Sequence, residues 1–436
     1  MSKEESSLTR SNWIAKAQSA LDRNRIVSLL RAIVDTPSPT GEEGELARNI
    51  SRHLAEAGLN GQEQVIDEHQ SNAVGMLTGS GDGQSLLLYS PIDTVTSNSA
   101  VEDVPWVGPE LRADMRADSW VDDGHVYGLG AQNPKGHAAC VFAAGEAIRA
   151  AGVPLKGNLY LGFGAGGMPS NARPGMRENS GHGAGCAHMI EQLPNIDSAV
   201  IAKSGWSVSW EEVGLAWITV RVNGTHSYVG SRHLLPFTNA INDAGRLIAR
   251  LEVWFSEWAE RHRTGLVAPQ GVVSHIESGW ERMPAFTPAE CRFQIDLRVS
   301  PRTSREEVDE QFGAAFDEFC SELEIDATWE RTVFISGTTT EPDSAIIKKC
   351  IQAWESIEKQ PHQAVAGLSG ATDANILRSA QIPTARIGLT KAAIPDIDFE
   401  LGMNTANIDG LHRLTKLLVH VAVDYCLDDA SGPTDG

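Results

Sequence analysis

The stretch LLLYSPIDTV, Leu86 to Val95, decides the fold. Three leucines and a tyrosine read as a strand buried on both faces, as the strands of parallel sheets are. The strand ends at Ser90-Pro91, and Asp93 follows where a strand hands its side chains to an active site. Pro91 offers neither a side-chain ligand nor a backbone donor. Its place two residues before that aspartate needs a reason.

Working outward, the text alternates between strand and helix. GHAACVFAAGEAIRAAG reads as a small-residue helix closed by Gly152, GNLYLGFGAG as a strand, GCAHMIEQL as a helix and IDSAVIAKS as a strand. Upstream, from about Asn12 to Ala57, apolar residues three and four apart predict helix, with Gly58 marking an end. Such alternation predicts an α/β fold with a mostly parallel sheet sandwiched by helices.

Beyond Val213 the pattern changes. LAWITVRVNG and ECRFQIDLRVS alternate as half-exposed strands, while NAINDAGRLIARLEVWFSEWAERH and SREEVDEQFGAAFDEFCSEL are amphipathic helices. After about Thr332 the α/β style returns with AIIKKCIQAWESI, the turn-rich AGLSGATDA and IPTARIGL. The simplest organisation is an α/β domain in two parts, residues 12–212 and 332–428, interrupted by an inserted α+β lid or dimerisation domain at 213–331. The tail 429–436 is expected to be disordered.

Bulk properties narrow the function. A net charge of -21 leaves no surplus of Lys and Arg to displace counterions from phosphates, so nucleic acid is not an expected partner. No run of about 18 apolar residues could span a membrane. The N-terminal MSKEESSLTRSNW lacks the apolar core of a secretory signal, and a cytoplasmic location is expected. Six cysteines without a C-x-x-C pair fit reduced thiols.

Together these residues resemble the co-catalytic zinc aminoacylase, carboxypeptidase G and succinyl-diaminopimelate desuccinylase family, from about residue 20 to 428. The resemblance implies a zinc-exopeptidase-like fold and a set of metal positions. The family's His-x-Asp is matched by PIDTV, which puts Pro91 on the first ligand. Its GRGxxDxKG, carrying the aspartate that bridges two zincs, is matched by GLGAQNPKG and puts Asn133 there. Its Glu-Glu pair falls on Gly167 and Met168 in GFGAGGMPS, and its next acidic ligand on Lys203 in IAKSG. The last ligand histidine falls on Glu400 or Gly402. Zinc needs imidazole, carboxylate or thiolate donors, and an ammonium beside a dication is repelled. No metal and no other cofactor is therefore expected.

The substrate-binding half of the pattern survives. By the resemblance, His226 reaches a neighbouring subunit's site, Asn239 and Arg298 bind substrate, and Ser369, Gly370 and Thr372 line a carboxylate pocket. Plainer readings stand beside these: Asp93 caps a turn, His226 lies on the surface, Arg298 pairs with a strand neighbour, Lys135 is exposed, and Cys140 packs in the core. The trio His182, Cys186 and His188 has weak metal spacing and no fourth ligand.

Two functions follow. One is a metal-independent hydrolase-like enzyme acting on a C–N bond (amide, imide, lactam or ureido) of a small carboxylate-bearing substrate. Its catalytic set would be Asp93, Asn133, Lys203 and His226, in a homodimer formed through the insert. Lyase or isomerase chemistry on a carbonyl stays open. The other is an inactive pseudo-peptidase that binds a small carboxylate ligand or a protein partner.

Overall fold

The computed structural model describes residues 9–203, 205–391 and 403–429. They form two compact units. The first holds the chain up to Trp210, Thr340–Ala364 and the residues from Thr372 onward, and the second holds Glu211–Thr339 and Val365–Ala371.

The first unit is built on a six-stranded sheet in the order Gln62–Val65, Ser71–Leu77, Leu159–Gly164, Leu86–Pro91, Ser198–Ala202, Thr384–Ile387. The last four strands run parallel, with Leu86 opposite both Leu159 and Ser198. The first two are antiparallel additions at one edge. Leu86–Pro91 and Leu159–Gly164 are buried at every position, which is why their text is almost continuously apolar.

Helix Lys135–Ala151 packs against Ile408–Cys426 and Arg23–Val34, and its alanines and Cys140 allow that close approach. It stops at Gly152, whose φ of 65° is a left-handed cap that glycine adopts without strain. The Cys140 thiol donates to Leu411 O from within the core. All six cysteines are free. The expected helical run from 12 to 57 is three helices, Arg10–Ser19, Arg23–Val34 and Gly44–Glu56. Pro37 and Pro39 stand in the segment 36–42 that separates the second helix from the third.

The second unit is a four-stranded antiparallel sheet ordered Gly271–Ser278, Glu290–Val299, Gly214–Asn223, Ala327–Ile335. Helices Ala240–His262 and Arg305–Leu323 supply Trp254, Trp258, Phe312 and Phe316 to its core. Ser304 and Glu307 form a reciprocal capping box at the second helix. Gly214–Asn223 reads as a half-exposed strand in the sequence but lies inside the sheet, paired on both sides and mostly buried. The edge strands are Gly271–Ser278 and Ala327–Ile335. No helix among the described residues is long and apolar enough to cross a membrane.

Candidate functional site

The site is assembled where the parallel strands of the first unit end. Pro91 closes its strand opposite Gly164, and the chain turns so that Asp93 is fully buried. Asp93 Oδ2 accepts the Thr40 hydroxyl at 2.7 Å and the Met168 N–H at 2.8 Å. Its Oδ1 is buried with no hydrogen-bond partner among the described residues. A Cβ on Gly167 would fall 3.1 Å from that oxygen, 3.1 Å from Asp373 Oδ2 and 2.5 Å from Pro91 Cβ. The loop can pass here only because position 167 has no side chain.

A second acid, absent from the sequence reading, grips the same loop. Glu43 is fully buried and its Oε1 accepts Gly166 N at 2.8 Å and Gly41 N at 3.1 Å, while Oε2 accepts the Gln70 amide at 3.0 Å. Burial, and then the charge of Asp93, push the Glu43 carboxyl up to about 8 against the pull of these three donors. Asp373 is the third acid, and its Oδ2 accepts the Tyr89 hydroxyl at 2.6 Å. Burial and the Asp373 charge hold the Tyr89 phenol well above its ordinary range.

Lys203 follows strand Ser198–Ala202, with its backbone N–H on Ile387 O at 3.1 Å and a side chain that is buried. A Cβ at Gly388 would sit 1.8 Å from Lys203 O and 2.6 Å from His137 Nε2, so these elements touch at a glycine. Burial and the Lys203 charge depress His137 to about 3, which keeps its ring neutral. His137 Nε2 accepts Leu389 N–H at 3.0 Å.

Asn133 precedes the helix Lys135–Ala151 and borders a cavity of about 380 Å³ together with Thr94 and Thr96. Its backbone N–H donates to Met403 O, and its side-chain Oδ1 is buried without a partner among the described residues. Lys135 is not the exposed residue of the plainer reading. It is fully buried, donates to Thr36 O at 2.8 Å, and is lowered to about 7 by burial.

Five of the sequence candidates lie in the second unit. His226 is exposed, stacks on Phe286 with ring centroids 5.5 Å apart and meets Thr287 O through Nδ1. Asn239 caps helix Ala240–His262 through its side-chain oxygen. Arg298 directs its fork at Asp296, with contacts of 2.7 and 3.0 Å. The Ser369 hydroxyl donates to Ala268 O, and Gly370 is exposed. Thr372, in the first unit, accepts Ala374 N–H at the start of helix Ala374–Ser379. Glu400 and Gly402 lie outside the described residues.

The sequence profile of peptidase family M20/M25/M40 matches residues 87–422. The chain belongs to this family. It is 23% identical over 437 aligned positions to the N-formyl-4-amino-5-aminomethyl-2-methylpyrimidine deformylase of Bacillus subtilis (strain 168), covering 93% of this chain and 95% of that one. Its fold is similar to human carnosine dipeptidase 1, with a TM-score of 0.72 and 13% identity over 95% of this chain and 98% of that one. It is also similar to a dinuclear metal binding M20 peptidase from Bacillus subtilis, with a TM-score of 0.62 and 13% identity over 92% and 98% of the two chains.

A dinuclear metal site is thus a property of such a relative, and the described residues at the positions matched above do not fit one. Pro91 has no donor, Gly167 has no side chain and no room for one, and Lys203 brings an ammonium. Among the described residues, Asp93 and Asn133 leave one carboxylate oxygen and one amide oxygen without hydrogen bonds, and no imidazole or thiolate joins either in a group that could hold a metal ion. Among the described residues no group of three His, Cys, Asp or Glu side chains is placed to hold a metal ion, the His182, Cys186 and His188 trio included. Burial and Asp373 keep the Cys186 thiol protonated, far above its ordinary value.

Proposed function

We propose that the protein hydrolyses a C–N bond of amide, imide, lactam or ureido type in a small carboxylate-bearing substrate, using protein groups where metal-bound relatives use metal. The observation that carries this reading is Lys203, a buried ammonium at the place of an acidic ligand, beside a histidine kept neutral. Metal-site decay does not require a cation there. A fixed positive charge in a region of low dielectric is suited to a developing oxyanion. The deformylase name of the Bacillus subtilis relative describes cleavage of an N-formyl C–N bond and supports the same bond class here.

In this reading Asp93 Oδ1 takes a proton from the attacking water, whose oxygen bonds the carbonyl carbon. The resulting oxyanion is neutralised by Lys203. The C–N bond then breaks as the proton passes from Asp93 to the leaving nitrogen. Asn133 orients the scissile group through its side-chain amide. Assignment of His226, Asn239, Arg298, Ser369, Gly370 and Thr372 to substrate handling rests on the resemblance, as does a homodimer in which His226 serves the partner's site. Arg298 is engaged with Asp296 and becomes available to a carboxylate only by exchanging that partner.

The experiment is turnover of N-formyl and N-acyl amines, ureido acids and cyclic imides by purified protein, before and after exhaustive chelation. Chelator-resistant cleavage supports the reading, and activity that tracks added zinc or manganese defeats it. The second reading, a binding protein without chemistry, draws on the commitment of Asp93 Oδ2 to Thr40 and Met168, a holding role that needs no reaction. It becomes the better one if no substrate of any of these classes is cleaved.

A further inference from the structure

The cavity beside Asn133 has walls of Trp106, Met115, Leu129 and Met403, and none of the described residues lining it carries a formal charge. Two polar atoms in that apolar wall are unsatisfied. Thr96 Oγ1 and Asn133 Oδ1 are both buried with no hydrogen-bond partner among the described residues, and Thr96 is only 6% exposed. The other polar side chains of the wall are committed. The Thr94 hydroxyl donates to Thr96 O at 3.0 Å, and Asn404 accepts Gly130 N–H at 2.9 Å while donating to Asp114 at 3.2 Å. Buried polar groups are nearly always paired, so two such atoms, without partners among the described residues and carried by residues that line one cavity, mark a place for a ligand's polar groups.

We infer that this cavity binds the neutral ring-bearing end of the substrate, an aryl or heteroaryl amide whose N–H meets Asn133 Oδ1 and whose acceptor takes the Thr96 hydroxyl. Calling the ligand a substrate rests on the amidohydrolase reading, whereas binding itself does not. Asn133 Oδ1 can only accept, so the ligand must bring a donor to it. The volume of about 380 Å³ lies at the small end of ligand cavities and suits one ring with a short substituent. Trp106, 66% exposed, offers a face for that ring. A charge-free wall offers a carboxylate no counter-ion, so an acidic group on the same substrate belongs outside this cavity.

Isothermal titration of the full-length protein with acetanilide, N-methylacetanilide and benzoate tests the assignment without requiring turnover. Acetanilide is expected to bind once per chain with a millimolar Kd, and N-methylacetanilide, which lacks the N–H, about tenfold more weakly. Benzoate should bind no better than the methylated amide. Asn133→Leu should abolish the difference between the two amides. Thr96→Val should weaken both by roughly fivefold. Trp106→Ala, a change at an exposed position that does not endanger folding, should also weaken both. Equal binding of the two amides to the natural protein overturns the proposal, as does unchanged acetanilide affinity in Trp106→Ala. A protein that binds acetanilide as described yet cleaves no amide keeps this site and loses the amidohydrolase reading.

Discussion

Glu43 and Asp93 hold the same loop by its backbone, Glu43 through Gly166 N and Asp93 through Met168 N, each at 2.8 Å. Both carboxyls are buried, and burial, followed by the charge of Asp93, pushes the Glu43 carboxyl up to about 8. In the unfolded chain it ionises near 4.5, so between these values the folded state holds a proton that the unfolded state has lost. The stabilising contribution is complete below about pH 4.5 and disappears as pH rises through 8, at no more than ~1.4 kcal/mol per pH unit. Thermal unfolding of the natural protein and Glu43→Gln should therefore diverge with pH, the natural protein losing stability relative to the variant from pH 5 to pH 8. A constant difference across that interval would exclude the raised Glu43.

The strands and the helix Lys135–Ala151 are legible in the sequence because burial on both faces and amphipathic periodicity leave direct marks in text, whereas nothing local shows that residues 332–339 and Val365–Ala371 join the second unit and not the α/β domain. Glu43 is not legible. An acid just before a helix reads as a charge near the positive end of its dipole, and nothing local says that Gln70 and Gly166 will enclose it. Lys135 misleads for a related reason: its partners, Val34 O and Thr36 O, are backbone atoms whose side chains carry no complementary charge. Gly214–Asn223 misleads because alternation reports which face is covered and is silent on how many neighbours a strand has. Pro91 is informative as a departure from a known pattern, and its close approach to Gly167 is visible only in the fold.

Gly167→Ala should destabilise the protein by roughly 1 to 3 kcal/mol, because its Cβ would lie 2.5 Å from that of Pro91 in a packed region. Gly245→Ala is the control. Gly245 is exposed within helix Ala240–His262, and a methyl group added there would meet no atom within 4 Å, so the change should stabilise by roughly 0.5 to 1 kcal/mol. Urea unfolding of both variants decides the matter. A tolerated alanine at 167 would show that the loop yields easily and that a ligand residue could be accommodated there.

Lys203→Met keeps the length of the side chain and removes its charge. If the ammonium stabilises the oxyanion, kcat should fall by about 10² to 10³, the cost of losing an oxyanion donor. KM should move little, because the charge acts on the transition state. Lys203→Ala should match it. Elemental analysis of the natural protein should find no stoichiometric zinc, cobalt or manganese. Turnover by the methionine variant at the natural rate would remove Lys203 from the chemistry.

The exposed edge strand Gly271–Ser278, with Ile276 on its surface and Trp280, Met283 and Phe286 just beyond it, is the part of the second unit in most need of cover. His226 borders a groove of about 860 Å³ with these same residues, so a second copy docking here would cover that imidazole. The natural protein should sediment as a dimer at micromolar concentration, and Ile276→Lys, which places a charge on the edge, should shift it toward monomer. A functional consequence separates a shared site from a mere contact. Neither Lys203→Met nor His226→Ala alone should be active, but each lacks a group the other supplies in a mixed dimer. Co-refolded in equal amounts, half of the dimers are mixed and each has one complete site, so about a quarter of natural activity should return. Recovery of no activity from a preparation shown to contain mixed dimers would confine His226 to its own chain or to no catalytic role.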